Sequence, residues 1–252
     1  MTSHLTLITG ASRGMGRAMA EQLLDAGHTL VCISRRTDEA LAARAAAAGA
    51  TLEQWSFDLA EPRAAAERVG AWLATQDAQA FDSVALINNA GTLGTVGPLA
   101  QADAADLARS LRIGLEAPLL LTAAFLRATA GWRGVRKVLN VSSGLGRNAM
   151  ASQAPYCAAK AGMDHFSRAV ALEQANEPGG ARIVSLAPGV IDTDMQGAMR
   201  ATEAALFPDR GRFDRLKSDG LLDSPADAAA KVLAFLARVD FGTRPVADVR
   251  SD

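Results

Sequence analysis

The sequence predicts a single α/β domain built on a doubly wound parallel sheet, and three observations carry that expectation. Short apolar, β-branched runs alternate with alanine-rich helical stretches from one end of the chain to the other. The strand candidates are apolar throughout rather than alternating, as when helices cover both faces of a sheet. The 252 residues, 49% hydrophobic and 21% charged, suffice for one ordinary core.

In chain order, the first strand candidate is Leu5 to Thr9, and the glycine-rich turn after it opens a helix near Gly14. Leu30 to Ser34 precedes a helix from about Asp38, and Thr51 to Phe57 precedes one at Pro62. Ser83 to Asn88 is strand four, with a helix from about Ala102; Val135 to Ser142 is strand five, with a helix near Pro155. Strand six is Arg182 to Ala187. The stretch Thr193 to Leu222 is the least regular, with apolar Leu206 and Phe207, and reads either as a mobile flap over a site or as a surface excursion. Ser224-Pro225-Ala226-Asp227 supplies a capping serine, a first-turn proline and an acid at the positive end of the dipole. A last helix is expected from there to about Arg238.

Composition narrows the function. Formal charge is −1, with 26 basic and 27 acidic residues, so no basic excess exists to neutralise phosphates and nucleic acid is not an expected partner. Apolar runs such as Ala117 to Phe125 are too short to span a membrane. Met1-Thr2-Ser3-His4 runs straight into an apolar strand without a signal-peptide pattern. Cys32 and Cys157 have no metal-ligand spacing, and His4, His28 and His165 form no cluster, so neither a disulfide framework nor a metal site is expected. The expected compartment is a reducing cytoplasm.

Strand one ends in Thr9-Gly10-Ala11-Ser12-Arg13-Gly14-Met15-Gly16, and a helix follows. Glycines there permit a tight turn and a close approach of backbone to a pyrophosphate, while the helix start offers free N–H groups and a positive dipole end. The position, strand then glycine turn then helix, predicts dinucleotide binding in a Rossmann-type fold. Strand two ends in Ser34-Arg35-Arg36, where an NAD site would place an acid for the ribose 2′-hydroxyl. Two guanidinium groups suit a 2′-phosphate instead, and Arg13 could join them, so NADP(H) is the expected cofactor. The alternative is a solvated basic loop before the helix-start acids Asp38 and Glu39.

Five motifs then occur in a recognisable order. They are the glycine turn, Asn88-Asn89-Ala90-Gly91 after strand four, Ser142-Ser143 after strand five, Tyr156-Cys157-Ala158-Ala159-Lys160, and Pro188-Gly189 after strand six. On them the chain resembles the short-chain dehydrogenases/reductases over nearly its whole length. Within that family Leu7 to Gly14, Leu86 to Gly94 and Asp192 to Gln196, and more loosely Leu216 to Asp248, are most similar to the sepiapterin reductases. Bacterial relatives of those enzymes include reductases of simple diketones. The resemblance implies a cofactor-binding half over about 1–150 and a catalytic and substrate-binding part over about 140–252. It also implies assembly through the helices from about Leu107 to Thr129 and from Pro155 to Gln174, as a homodimer or homotetramer.

Tyr156 is the only tyrosine, and Lys160 lies one turn later on the same helix face. A phenol starts near pKa ~10. A neighbouring ammonium and the positive nicotinamide of an oxidised cofactor would lower that value, which suits a catalytic acid. By the resemblance, Ser143 is the catalytic serine that bonds the substrate carbonyl, and Ser142 contacts the cofactor. The resemblance further assigns the backbone of Asn89, Ala90 and Gly91 to the adenosine ribose, and Asp58 and Leu59 to the adenine. It assigns Pro188, Gly189, Val190, Ile191 and Thr193 to the nicotinamide carboxamide, with Gly10, Ser12, Arg13, Gly14 and Met15 at the pyrophosphate.

One position departs from the family. Gly114 stands where its members usually carry an asparagine whose amide helps to place a water in the proton relay. The rest of the set favours a reductase acting on a small-molecule carbonyl, a ketone or 1,2-dicarbonyl. Gly114 motivates the other reading, a catalytically weak NADP(H)-binding sensor or scaffold. For the substrate, Asp248 aligns with the aspartate that anchors the pterin in sepiapterin reductases, by two parallel hydrogen bonds to a guanidine-like ring edge. A fraying, solvated acid paired with Arg244 or Arg250 is the competing reading, and a general, benzil-type diketone reductase the competing activity.

Overall fold

The structure is a computed structural model that describes residues 3–251. Its strands are β1 (His4–Thr9), β2 (His28–Ser34), β3 (Thr51–Ser56), β4 (Ser83–Asn88), β5 (Val135–Val141), β6 (Arg182–Ala187) and β7 (Val246–Asp248). They form one sheet in the order β3-β2-β1-β4-β5-β6-β7, parallel throughout. The order reverses between β1 and β4, which opens a crevice at their carboxyl ends.

Nine α-helices among the described residues cover the sheet: α1 (Gly14–Gln22), α2 (Glu39–Ala48), α3 (Pro62–Leu73), α4 (Ala104–Leu111), α5 (Ala117–Ala128), α6 (Ala154–Ala175), α7 (Asp194–Ala201), α8 (Arg210–Ser218) and α9 (Pro225–Ala237). Successive strand residues face opposite sides, so each apolar strand feeds two cores. Ile8, Leu139 and Leu186 pack with Met19 of α1, Leu41 of α2 and Val232 of α9. Leu7, Val31 and Val138 pack on the other face with Val69 of α3 and Phe125 of α5. The predicted single doubly wound α/β domain is the observed one.

Three elements differ from the expectation. The stretch from Thr193 to Leu222 holds α7 and α8, fastened from below by fully buried Phe207 against Phe213, with ring centroids 5.3 Å apart. β7 was not predicted; three residues give too short a signal, yet the Ser185 N–H donates to the Pro245 carbonyl and the Val249 N–H to the Ala187 carbonyl. The helix expected from about Leu107 to Thr129 is interrupted by a π turn, Arg112–Glu116, between α4 and α5.

Gly114 lies inside that π turn. A β-carbon on it would come within 2.9 Å of Ala159 Cβ on α6. The glycine therefore lets the π turn and α6 approach each other next to Lys160. Gly114→Asn is expected to lower stability by about 1–3 kcal/mol, as overpacking does. Gly114→Asn/Ala159→Gly should recover part of the loss. Thermal unfolding of both variants checks this, and an asparagine variant as stable as the parent would contradict the packing account.

Candidate active site

The crevice begins with the link between the glycine turn and the loop after β4. Thr9 Oγ1 accepts from the N–H groups of Asn89 at 2.9 Å and Ala90 at 3.0 Å. Asn89 Nδ2 donates back to the Thr9 carbonyl at 2.9 Å. Gly10 takes φ +71°, where a side chain would strain and would also press on Ala90. Asn89 thus braces the turn with its side chain. Arg13 precedes α1 in extended conformation without a side-chain cap, so no side chain at that position occupies the N–H groups at the helix start. Ser12 is half-buried, Gly14 exposed, and Met15 packs into the core.

Arg35 and Arg36 are exposed just beyond β2, and neither guanidinium has a hydrogen-bond or ion-pair partner among the described residues. The nearest acid in sequence is committed elsewhere. Asp38 caps α2 through the Leu41 N–H and receives Arg17 Nε at 2.5 Å, which holds its carboxyl below the usual range. Arg13, which the sequence allowed to join them, pairs with Asp194 at the start of α7. Asp58 is exposed beside Arg109, while the Leu59 side chain is buried in the core, so only its backbone is free to meet a ligand. Pro188 to Thr193 leave the end of β6, with Gly189 at φ +90° and the Val190 carbonyl accepting from the Asp223 N–H.

At the other end of the crevice α6 crosses the end of β5. Strand five stops at Val141, so Ser142 and Ser143 follow it rather than close it. Lys160 is 3% exposed, and its Nζ donates to the Val141 carbonyl at 2.6 Å. A β-carbon on Gly91 would lie 3.9 Å from that Nζ, which places the loop after β4 beside it. Lys160 Nζ stands 5.6 Å from the Tyr156 ring centre, and the Ser143 hydroxyl lies close enough to the phenol to favour its ionised form. Burial pushes Lys160 down to about 8, against the opposing effect of Asp164.

Tyr156 departs from the sequence expectation. Burial raises its pKa, and the nearby Ser143 hydroxyl opposes this without reversing it. Lys160, bonded to a backbone carbonyl, does not offset the burial in this structure.

Asp248 is also placed differently from a fraying acid. It lies in β7, and Arg250 occupies both oxygens: Oδ1 accepts from Arg250 Nε at 2.9 Å and Oδ2 from Nη2 at 2.7 Å. Arg250 holds its carboxyl below the usual range. Arg147 Nη2 stands 3.7 Å away.

Sequence reasoning missed two residues here. Asp164, one turn beyond Lys160, is 1% exposed and accepts from Ser142 Oγ at 2.5 Å and Ser185 Oγ at 2.7 Å. Its signal was an acid on the inner face of a helix, in step with Tyr156 and Lys160. Gln153, one turn before Tyr156, is 1% exposed with both side-chain polar atoms unpartnered. Nothing in the sequence distinguished it from a surface glutamine.

The short chain dehydrogenase family matches residues 4–204. The chain is 34% identical to the benzil reductase ((S)-benzoin forming) of Bacillus cereus, over 93% of this chain and 94% of that protein. It is also 34% identical to the sepiapterin reductase of Meriones unguiculatus, over 93% of this chain and 92% of that one. Among solved structures, a metagenomic short-chain oxidoreductase in complex with NADP is 27% identical and superposes with a TM-score of 0.72, covering 98% of this chain and 95% of its own. The glycine turn, the braced loop after β4 and the serine, tyrosine and lysine at the end of β5 lie together in a chain that belongs to the short-chain dehydrogenase family.

Proposed function

We propose that the chain is an NADPH-dependent reductase of a small carbonyl compound, with a 1,2-dicarbonyl favoured. The observation that carries this is the grouping of Ser143, Tyr156 and Lys160 at the carboxyl end of β5, in one crevice with an unoccupied pair of guanidinium groups. Arg35 and Arg36 would hold the 2′-phosphate, since Asp38 is bound to Arg17 rather than free for a ribose hydroxyl. The uncapped start of α1 and the glycine turn would hold the pyrophosphate. When bound, NADPH supplies the hydride that reaches the carbonyl carbon.

The chain's own residues manage the oxygen. A phenol pushed up by burial keeps its proton at neutral pH, so Tyr156 enters the reaction as an acid and gives that proton to the carbonyl oxygen. Ser143, beside the phenol, donates to the same oxygen as negative charge develops. Lys160 lies beneath Tyr156 and offers its remaining N–H groups to ribose hydroxyls. Loss of the Tyr156 proton brings a phenolate next to this ammonium, which stabilises it at that moment.

The relatives include both diketone and pterin reductases, and the site favours the first class. A pterin anchored on Asp248 must compete with Arg250 for its oxygens, whereas a dicarbonyl needs nothing from Asp248. Gln153, one turn before Tyr156, has an unpartnered amide that could serve a second carbonyl. The sensor reading rests on the missing amide at Gly114, for which packing on Ala159 gives a structural reason. The free thiols Cys32 and Cys157 suit a reducing cytoplasm, and exposed Leu119 on α5 and Leu172 on α6 suit a homodimer or homotetramer.

NADPH is expected to bind more tightly than NADH, and Arg36→Ala to weaken NADPH alone. Charge-assisted bonds worth about 1.5–3 kcal/mol make that roughly ten- to a hundredfold. Fluorescence titration measures it; equal dissociation constants for the two cofactors would refute the assignment. In a spectrophotometric assay with a diketone panel and sepiapterin, NADPH oxidation should be fastest with a diketone. Tyr156→Phe should abolish most of that turnover while keeping NADPH affinity. Near-normal turnover in the variant would mean that the proton comes from another group.

A further inference from the structure

The buried end of α6 carries a second charge that the mechanism above does not use. Asp164 lies one turn beyond Lys160 on the same inner face, and the two are 1% and 3% exposed. Its Oδ1 takes the hydroxyl protons of Ser142 and Ser185, from just past β5 and from β6. Its Oδ2 has no partner among the described residues. Room for that oxygen comes from the turn after Ser143: a β-carbon on Gly146 would stand 2.7 Å from Oδ2 and 3.0 Å from the Lys160 carbonyl oxygen. A carboxylate with two hydroxyl donors on one oxygen and none on the other is left with negative charge to spend on a nearby cation.

The cation nearest along the helix is Lys160, one turn earlier on the same buried face, with no direct ion pair to Asp164 among the described residues. An ammonium this deeply buried is strongly disfavoured unless an opposite charge offsets its lost hydration. The groups facing it are Tyr156 and Asp164 on its own helix, the Val141 carbonyl, Met163 Sδ at 4.0 Å, and the region of Ser142 and Ser143. Of the charges on the other elements packed against α6, Arg182 of β6 donates to the Val239 carbonyl, Asp106 of α4 accepts from the Thr95 N–H, and Glu116 stands half-buried in the π turn. Arg109 and Arg112 pair with Asp58 and Glu61, and Arg147 faces Asp248 of β7. Only burial and Asp164 act appreciably on the ammonium, in opposite senses.

We propose that Asp164 is a positioning residue of the site, whose carboxylate keeps the buried Lys160 cationic and holds Ser142 at the end of β5. Its catalytic consequence rests on the reductase reading above; the electrostatic one does not. Without the carboxylate, Lys160 gives up its proton at lower pH, the ribose loses a charged donor and the Tyr156 phenolate loses its neighbouring cation. Ser142 loses its fixed acceptor, and Ser143 beside it loses orientation.

The test is a side-chain nitrogen NMR titration of Lys160 in the full-length protein without cofactor, in the parent and in Asp164→Asn. Asparagine keeps an acceptor for the two hydroxyls and removes the charge. The Lys160 midpoint is expected to fall by about one unit or more in the variant. In parallel, the alkaline limb of kcat/KM for NADPH should move to lower pH with a diketone as substrate, a tenfold loss per unit on that limb. A folded variant with an unchanged Lys160 midpoint would overturn the proposal. If the variant does not fold, the carboxyl carbon of Asp164 in the parent decides: ionised while Lys160 titrates supports the proposal, neutral there overturns it. A parent protein without any carbonyl reductase activity would defeat the functional reading and leave the NMR result to stand by itself.

Discussion

The site depends on one buried hydrogen bond, from Lys160 Nζ to the Val141 carbonyl. Strand β5 ends there, so its last carbonyl has lost its place in the ladder and needs a donor. The ammonium, itself buried, needs an acceptor just as strictly. Each satisfies the other, and α6 is thereby held across the end of β5. Tyr156 lies one turn earlier on the same helix and Ser143 two residues beyond the same strand end, so both are set in place by that crossing. A shift of α6 along its axis would break the bond and separate the tyrosine from the serine together.

Polar links carry the constraint outward. Asn88 Nδ2 donates to Asn140 Oδ1 at 2.8 Å, Asn140 Nδ2 to Ser167 Oγ at 2.9 Å, and Ser167 Oγ to the Met163 carbonyl at 2.8 Å. This chain of amides runs from β4 through β5 to α6 below the crevice. Thr9 and Asn89 continue it from β4 to the glycine turn of β1. In a buried setting such bonds tolerate little displacement, because each unmade partner costs about 1–3 kcal/mol. The glycine turn and the end of β5 are therefore linked through one floor, and the α7–α8 segment is anchored by buried Phe207, with Arg13 and Asp194 paired at its exposed start.

Much of this was legible in the sequence because it is local. The glycine turn, the Tyr156 to Lys160 spacing and the apolar runs of β1, β4 and β5 are patterns within a few residues of each other, and they set the sheet and the crevice. What was not legible depends on partners far along the chain. Arg13 meets Asp194, Lys160 meets Val141 and Asp164 meets Ser142 only once the sheet exists. Gly114 stood out as a missing amide, but its reason, the approach of Ala159, is a tertiary distance. The direction of the Tyr156 shift was misread for the same cause: helical spacing alone suggested that the ammonium would act on the phenol, whereas the ammonium is bonded to β5 and burial prevails. At Asp248, the sequence offered a ligand carboxylate or a pair with a flanking arginine, and the fold shows the pair with Arg250.

The central claim is that one floor presents a 2′-phosphate site and a proton-donating pair to the same bound molecules. A crystal structure of the protein with NADP⁺ and a diketone tests it most directly. The account predicts the 2′-phosphate against Arg35 and Arg36, and one carbonyl oxygen hydrogen-bonded by Tyr156 Oη and Ser143 Oγ together. A 2′-phosphate out of reach of both arginines, or a diketone bonded to neither hydroxyl, would contradict it.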